Sequence, residues 1–467
     1  MKMKNLLVAG LSVLTLAACQ PAAKKEEPKG MELLKVSANH RFFETEDGEP
    51  FFWLGDTGWL LFTKLNREET EKYLETRKEQ GFNVIQVMVL HGLGAVNVYG
   101  DSALVNHSVA TPNVTEGKDF SDSIQYDYWD NIDYAIDLAA EKGLYMALVP
   151  VWGNNVKDGG VSRDEAAVYG KWIADRYKDR KNIIWLNGGD TFGSDSTATW
   201  NILGNALKDN DPNHLITFHP RGRMQSNDWF LDEPWMDFNM IQSGHRRYDQ
   251  DDTERGYAQD NYKYIFEDWD LAPVRPTIDG EPSYEGIPQG LHDTLQPFWN
   301  DADVRRYAYW SVFAGAFGYT YGHSAVMQFY QPGDKAAAYG AKDYWTKAIN
   351  DPGATQMKYV KELMLSRPYF DRVPDQSLIA GENGEKYDFL IATRGNDYAF
   401  IYSYNGRDIS VQMGKIAGEK VKASWFNPRN GQFAAIGEFE NTGVQSFDPP
   451  GDAGDGHDYV LVLDSVK

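Results

Sequence analysis

Two segments about ninety residues apart end in carboxylates: Ile183–Asp190 (IIWLNGGD) and Arg275–Gly286 (RPTIDGEPSYEG). Each reads as a short apolar strand that runs into glycine and then presents an acid, Asp190 in the first and Glu281 in the second. Two carboxylates delivered from separate strand ends into one cleft are what cleavage of a glycosidic bond requires. Asp190 is the candidate general acid/base; it must carry a proton to assist a leaving group, so partial burial is expected to raise its pKa. A helix cap is the competing reading for an Asp in this place. Against that reading, Gly188-Gly189 lets the backbone come close to a ligand just before the carboxylate. Glu281, between Gly280 and Pro282, is the candidate nucleophile; a buried carboxylate tied to arginine or backbone donors is its alternative. Asp279 lies two residues earlier and would share Glu281's face one layer deeper, which makes it the rival nucleophile unless a bulge at Gly280 breaks the count. Glu285, further into the loop, is a candidate for substrate contact.

Other predicted strand ends carry Asp56, His91, Trp152, Asn187, His219, His245 and His323, and all are candidate substrate-binding residues. The histidines admit three readings: sugar hydrogen bonding, metal ligation or a satisfied core position. They fall on different strands without HxH or HExxH spacing, so no metal and no other cofactor is expected. Trp53, Trp59, Trp152, Trp185 and Tyr284 are each equally suited to stack on a sugar face or to fill the core. Arg221, Arg223, Arg246 and Arg247 follow two neighbouring strands. In a chain of formal charge −22 they suggest a local site for a carboxylate-bearing substrate, with solvated surface arginine as the alternative for each.

What must position these residues is an alternation of strands and helices. Candidate strands begin at Phe51, Val84, Tyr145, Ile183, Leu215, Met240, Pro276 and Gly318. Helical stretches are expected over Glu68–Gln80, Tyr128–Lys142, Arg163–Lys178, Thr197–Asp209, Asn261–Trp269 and Ala302–Phe313. Eight strands with intervening helices predict an α/β chain built as a (β/α)8 TIM barrel over residues 34–372, with its site at the carboxyl ends of the strands. An open doubly wound sheet is the alternative, but no GxGxxG follows an early strand. A hairpin centred on Gly48-Glu49-Pro50 is expected to cap the barrel's bottom or join its first strand. After Pro368 short strands punctuated by Gly, Asn and Pro predict a small antiparallel β-sandwich over residues 373–467.

The start of the chain, with Lys2 and Lys4, an apolar run and Leu16-Ala17-Ala18-Cys19, matches a secretory signal too short to span a membrane. Leu-Ala-Ala-Cys resembles a bacterial lipobox. Residues 1–18 are therefore expected as a signal peptide and residues 19–33 as a lipidated Cys19 with its polar tether. That would anchor the protein by lipid in a bacterial cell envelope, facing either the periplasm or the outside. Cys19 is the one cysteine of the sequence, which excludes a disulfide within one molecule. The acidity makes nucleic acid a poor partner and favours solubility.

The segments RFFETEDGEPFFWLGDTGW (Arg41 to Trp59) and EQGFNVIQVMVL, the two carboxylate ends, and WFNPRNG (Trp425 to Gly431) together resemble glycoside hydrolase family 140 from about Leu34 onward, including its collagen-binding-type β module. The resemblance implies a (β/α)8 barrel and a retaining apiosidase that releases apiose from galacturonic acid in rhamnogalacturonan II side chains. By motif it places the acid/base at Asp190 and the nucleophile at Glu281. Many barrel glycosidases use a Glu after Asn as the acid; here the acid is an Asp three residues after Asn187, which suits this family. The residues alone leave retention or inversion open. They also leave room for a barrel glycosidase on another furanosyl, plant or host glycan, and for a non-catalytic glycan- or collagen-binding surface lipoprotein.

Overall fold

The computed structural model describes residues 30–466. The expected leader, Cys19 and most of its tether lie outside the described residues.

Strands β1 (Leu34–Val36), β2 (Phe43–Thr45) and β3 (Pro50–Phe51) form a small antiparallel sheet. Gly48, at φ +85°, makes the tight β2–β3 turn that a side chain would resist. A single larger sheet follows: β4 (Trp53–Thr57), β5 (Val84–Met88), β6 (Tyr145–Val149), β7 (Ile183–Thr191), β8 (Ile216–Pro220), β9 (Met224–Gln225), β10 (Asn239–Gln242), β11 (Thr277–Asp279) and β12 (Gly318–Tyr321). Its order is β8-β7-β6-β5-β4-β12-β11-β10-β9, parallel throughout except for the two-residue β9. Bonds from Thr217 Oγ1 to the Phe238 carbonyl (2.5 Å) and from Asp237 N to the Ile216 carbonyl (2.8 Å) link β8 to the chain entering β10, so the sheet nearly closes. The expected TIM-like barrel is present.

Its strands read as continuous apolar runs because both faces are covered; β5, β6 and β8 are buried at every residue. Helices Arg67–Glu79, Tyr128–Glu141, Arg163–Tyr177 and Asp301–Phe313 start at reciprocal capping boxes on Asn66, Asp127, Ser162 and Asn300. At the amino ends of the strands Phe43 stacks on Phe317 (4.1 Å) and meets Phe238 edge-on (5.1 Å). The β1–β3 sheet therefore plugs the bottom of the barrel, as expected, and leaves the carboxyl ends open.

Strands β13 (Val373–Pro374), β14 (Ile391–Arg394), β15 (Tyr398–Ser403), β16 (Ile409–Gln412), β17 (Lys420–Asn427), β18 (Gln432–Glu440), β19 (Val444–Phe447) and β20 (Tyr459–Ser465) build the C-terminal module. Six form one antiparallel sheet, β13-β14-β15-β20-β17-β18, and β16 and β19 pair separately. Alternation along β15 divides its side chains. Ala399 and Ile401 join a core with Ile409, Val411 and Leu461, while Tyr402 stacks on Tyr309 (4.8 Å) and Phe400 on Phe313 (6.1 Å) of a barrel helix. Buried Arg305 on that helix grips Asp458 of the module with two bonds (2.9 and 3.1 Å).

Candidate active site

The parallel β7–β8 ladder pairs Gly188 with His219 and then skips to Thr191 with Pro220. Gly189 and Asp190 bulge out between these pairs. Gly188, Gly189 and Asp190 all take positive φ (88°, 112° and 47°). A Cβ on Gly188 would meet the Phe218 ring at 2.6 Å, and one on Gly189 the Trp152 ring at 2.5 Å, so this bulge requires glycine. Asp190 pays for the turn with a left-handed backbone, a strain of about 1–3 kcal/mol that persists where the surroundings over-determine it. Its amide donates to His219 Nδ1 (3.4 Å). The side chain is open to the cavity yet walled by protein, and that burial raises its pKa, helped by the charge of Glu281 and opposed by His219, Arg221 and His245.

Glu281 is held differently. The backbone steps from β11 through Gly280, where a Cβ would strike the Met240 sulfur at 2.6 Å. Glu281 is only 7% exposed. Its Oε1 lies 3.2 Å from His245 Nε2, and its Oε2 lies 3.2 Å from His219 Nε2 at a less favourable angle. His219 Nδ1 accepts the Asp190 amide, and His245 Nδ1 accepts the Tyr284 amide (3.3 Å). Each ring therefore carries its proton on Nε2; His245 donates it to Glu281, and His219 brings its own within contact distance of the second oxygen. Burial pushes Glu281 up, but the two histidine contacts outweigh it and hold the carboxyl at about 2. His219 is itself boxed by Trp59 (5.4 Å) and Trp152 (5.9 Å).

Around these groups opens a cavity of about 520 Å³, room for a small saccharide. Trp59, His91, Trp152, Asp190, Arg221, His245, Glu281 and Tyr284 line it, and so do Arg223 and Arg246. His219 sits just behind, touching Glu281. Arg221 lies over the Phe192 ring (5.2 Å) and has no acidic partner among the described residues. Among the described residues Arg246 reaches only the Gly290 carbonyl, at 3.5 Å. Arg223 meets the exposed Asp252 (3.3 Å), while Arg247 turns outward to Asp249.

Several candidates belong to the scaffold instead. Asp56 is fully buried, and its Oδ2 accepts from Tyr73 (2.5 Å) and Arg77 (2.7 Å), a closed ion pair away from the cavity. Asn187 donates to the Trp200 carbonyl (2.9 Å) and accepts from the Gly188 amide (3.0 Å), shaping the bulge without reaching a ligand. His323 caps the helix Ser324–Met327 and bonds Asp351 (3.0 Å). Glu285 accepts from Tyr321 (2.6 Å) and the Gly353 amide (3.2 Å). Asp279 is enclosed, accepting from Ser243 Oγ (2.5 Å) and Asn261 Nδ2 (2.9 Å); burial, only partly offset by these donors, lifts its pKa to about 6. It has no opening through which to attack. Trp53 and Trp185 spend their ring N–H groups on Thr320 and Asp211 in the core.

The sequence reading missed Asn154, Gln242, Leu291, Gln328 and Tyr339, which also line the cavity. Leu291 and Tyr339 take positive φ (78° and 53°) and come from irregular loops. The neighbouring glycines, Gly290 and Gly340, are the signal that marked those loops.

Chemically, the cavity presents one carboxyl whose pKa is raised beside one whose pKa is lowered. No group of three His, Cys, Asp or Glu among the described residues is placed to hold a metal.

A family model described as "Apiosidase-like, catalytic domain" matches residues 37–371, and one described as "Putative collagen-binding domain of a collagenase" matches residues 373–464. Among solved structures, a glycoside hydrolase is 49% identical with a TM-score of 0.88, over 93% of this chain and 97% of its own. A family 5 glycoside hydrolase from Bacteroides vulgatus is 47% identical with a TM-score of 0.88, over 93% and 94%. Another Bacteroides vulgatus protein, 16% identical over 94% and 82% with a TM-score of 0.62, shares the fold alone. No curated protein matches the chain. The chain belongs to the apiosidase-like family, and it is a glycoside hydrolase.

Proposed function

We propose that this enzyme is a retaining exo-glycosidase that releases apiose from galacturonic acid in rhamnogalacturonan II side chains. The observation that carries the mechanism is the placement of two carboxyls in one cavity, Glu281 against His245 and His219 and Asp190 open beside it, which biases their protons in opposite directions. Glu281 attacks the anomeric carbon while Asp190 gives its proton to the departing glycosidic oxygen. Asp190, now ionised, takes a proton from water as that water displaces Glu281 from the sugar, which restores both groups. A carboxylate held at about 2 is a weak base toward water and a good leaving group from a glycosyl ester. It therefore suits a nucleophile better than the water-activating base of an inverting enzyme.

Arg221 and Arg246 support an acidic aglycone. In so acidic a chain, guanidiniums facing a cavity without carboxylate partners match a uronic acid carboxylate. The likeness to a 47% identical family 5 glycoside hydrolase favours, as second reading, a barrel glycosidase on another glycan with the same carboxylates. Chromatography of sugars released from rhamnogalacturonan II oligosaccharides by wild type and Glu281→Gln tests the proposal. Apiose from wild type alone supports it; apiose from both removes Glu281 from the chemistry; none from either sends the substrate search to other glycans.

Lipid anchoring through Cys19 in a bacterial cell envelope is part of the same proposal. Cys19→Ser should move the protein from the membrane fraction to the soluble one, and unchanged fractionation would sink the anchor.

A further inference from the structure

Beyond the two carboxylates, the loop from Ser243 to Asn261 builds one wall of the cavity and carries His245 and Arg246. The barrel pins both ends of this loop on one group. Asp279 Oδ2 accepts from Ser243 Oγ (2.5 Å) and from Asn261 Nδ2 (2.9 Å). The middle of the loop leans on the C-terminal module. Tyr387, in the module turn Lys386–Asp388, donates its hydroxyl to buried Gln259 Oε1 (3.0 Å), and its ring packs beside Tyr248 (5.9 Å). Lys386 places its ammonium over the same Tyr248 ring (5.1 Å). Tyr248 is three residues past His245 and donates to Asp260 (2.5 Å), closing the loop on itself.

Tyr387 also completes an aromatic box around Arg306, which is fully buried on the barrel helix. The guanidinium lies over Tyr387 at 4.6 Å, Tyr307 at 5.0 Å, Trp310 at 5.0 Å and Tyr404 at 5.1 Å. Its Nε and Nη1 have no hydrogen-bond partner among the described residues, so ring faces take the place of polar partners. Tyr307 in turn accepts from Ser283 Oγ (3.1 Å), two residues past Glu281. One module side chain thus bears on both strand ends that converge at Glu281.

We propose that the C-terminal module braces the active site, with Tyr387 as a positioning residue that holds the His245–Arg246 wall against Glu281. The module then acts within the molecule, on the geometry of the histidine clamp. The kinetic part of this inference rests on the proposed role of Glu281; the structural part does not.

Hydrogen exchange read by mass spectrometry on the full chain, with Tyr387→Ala and Tyr387→Phe beside wild type, tests it. The Ala variant should exchange faster across residues 243–260 while β4 to β8 keep wild-type protection. On rhamnogalacturonan II oligosaccharides its kcat should fall on the order of tenfold, since small misplacements of catalytic groups carry costs of this kind. The acid limb of its kcat/KM profile should move to higher pH as the clamp on Glu281 loosens. The Phe variant keeps the ring and the Arg306 box, and should restore the acid limb. Wild-type exchange over 243–260, or an acid limb unmoved in the Ala variant, would overturn the brace. Should the Ala variant fail to fold, Tyr387→Leu, which fills the space without a ring, takes its place with the same two contrary results. If wild type itself releases no sugar, the functional proposal has failed, and the exchange data alone decide the brace.

Discussion

Asp190 and Glu281 face the same cavity, and the chain treats them in opposite ways. Asp190 rides on a glycine bulge with a left-handed backbone, open to the cavity, with its carboxylate free of any donor within hydrogen-bond distance among the described residues. Glu281 is buried between two imidazoles, bonded by His245 and touched by His219, whose orientations are fixed by backbone amides on their far nitrogens. Burial without donors favours a proton; burial against two imidazoles, one of them bonded, disfavours it. The lesson is that the two roles are written in the neighbours of each acid and not in the acids themselves. Asp56 extends the comparison, since a third strand-end carboxylate, given an arginine of its own, becomes scaffold.

The comparison can be broken at several points. Glu281→Gln should cost at least about 100-fold in kcat while far-UV dichroism stays unchanged, the scale expected of a catalytic carboxylate. Next comes Asp190→Asn: its kcat/KM should fall about 100-fold on a natural oligosaccharide but much less on an activated aryl glycoside, whose aglycone leaves without a proton. Equal loss on both substrates would place Asp190 outside acid catalysis. His245→Ala removes one donor from Glu281, so its pKa should rise and the acid limb of kcat/KM should move upward, with a smaller loss near neutrality. An unmoved limb would deny the clamp.

The same depressed pKa has a stability signature. Glu281 falls from a usual 4.5 to about 2 on folding, so its contribution is present above 4.5 and lost as pH drops from there toward 2. The Tm of wild type should fall across that window more steeply than the Tm of Glu281→Gln. The smallest effect on catalysis is expected from Asp56→Asn. Breaking a buried ion pair costs about 3–5 kcal/mol of stability, so Tm should drop, yet kcat/KM per folded molecule should hold.

Much of this was legible in the sequence where local chemistry and fold agree. The strands announced themselves as apolar runs, and Gly188-Gly189 and Gly280 marked the two places where backbone must pass against a ring or a sulfur. Strand-end counting then overreached. It could not tell which way Asp56 or His323 would point, because the deciding partners, Arg77 and Asp351, are 21 and 28 residues away in sequence. The helix Pro352–Leu365 was passed over although Asp351 and a proline at its first position signal a start. Leu291 and Tyr339 had no periodic pattern to betray them, since irregular loops are placed by tertiary contacts. The brace through Tyr387 joins residues more than a hundred positions apart and leaves no local trace.

Asp190 is biased toward holding a proton and Glu281 toward losing one. The pH dependence of kcat/KM for wild type and Asp190→Asn on one natural oligosaccharide, whose leaving group needs a proton, decides this. The wild-type profile should stay active well below pH 4.5 and decline on its alkaline side as Asp190 ionises, with that alkaline decline gone in the variant. An alkaline limb that survives in Asp190→Asn would contradict it.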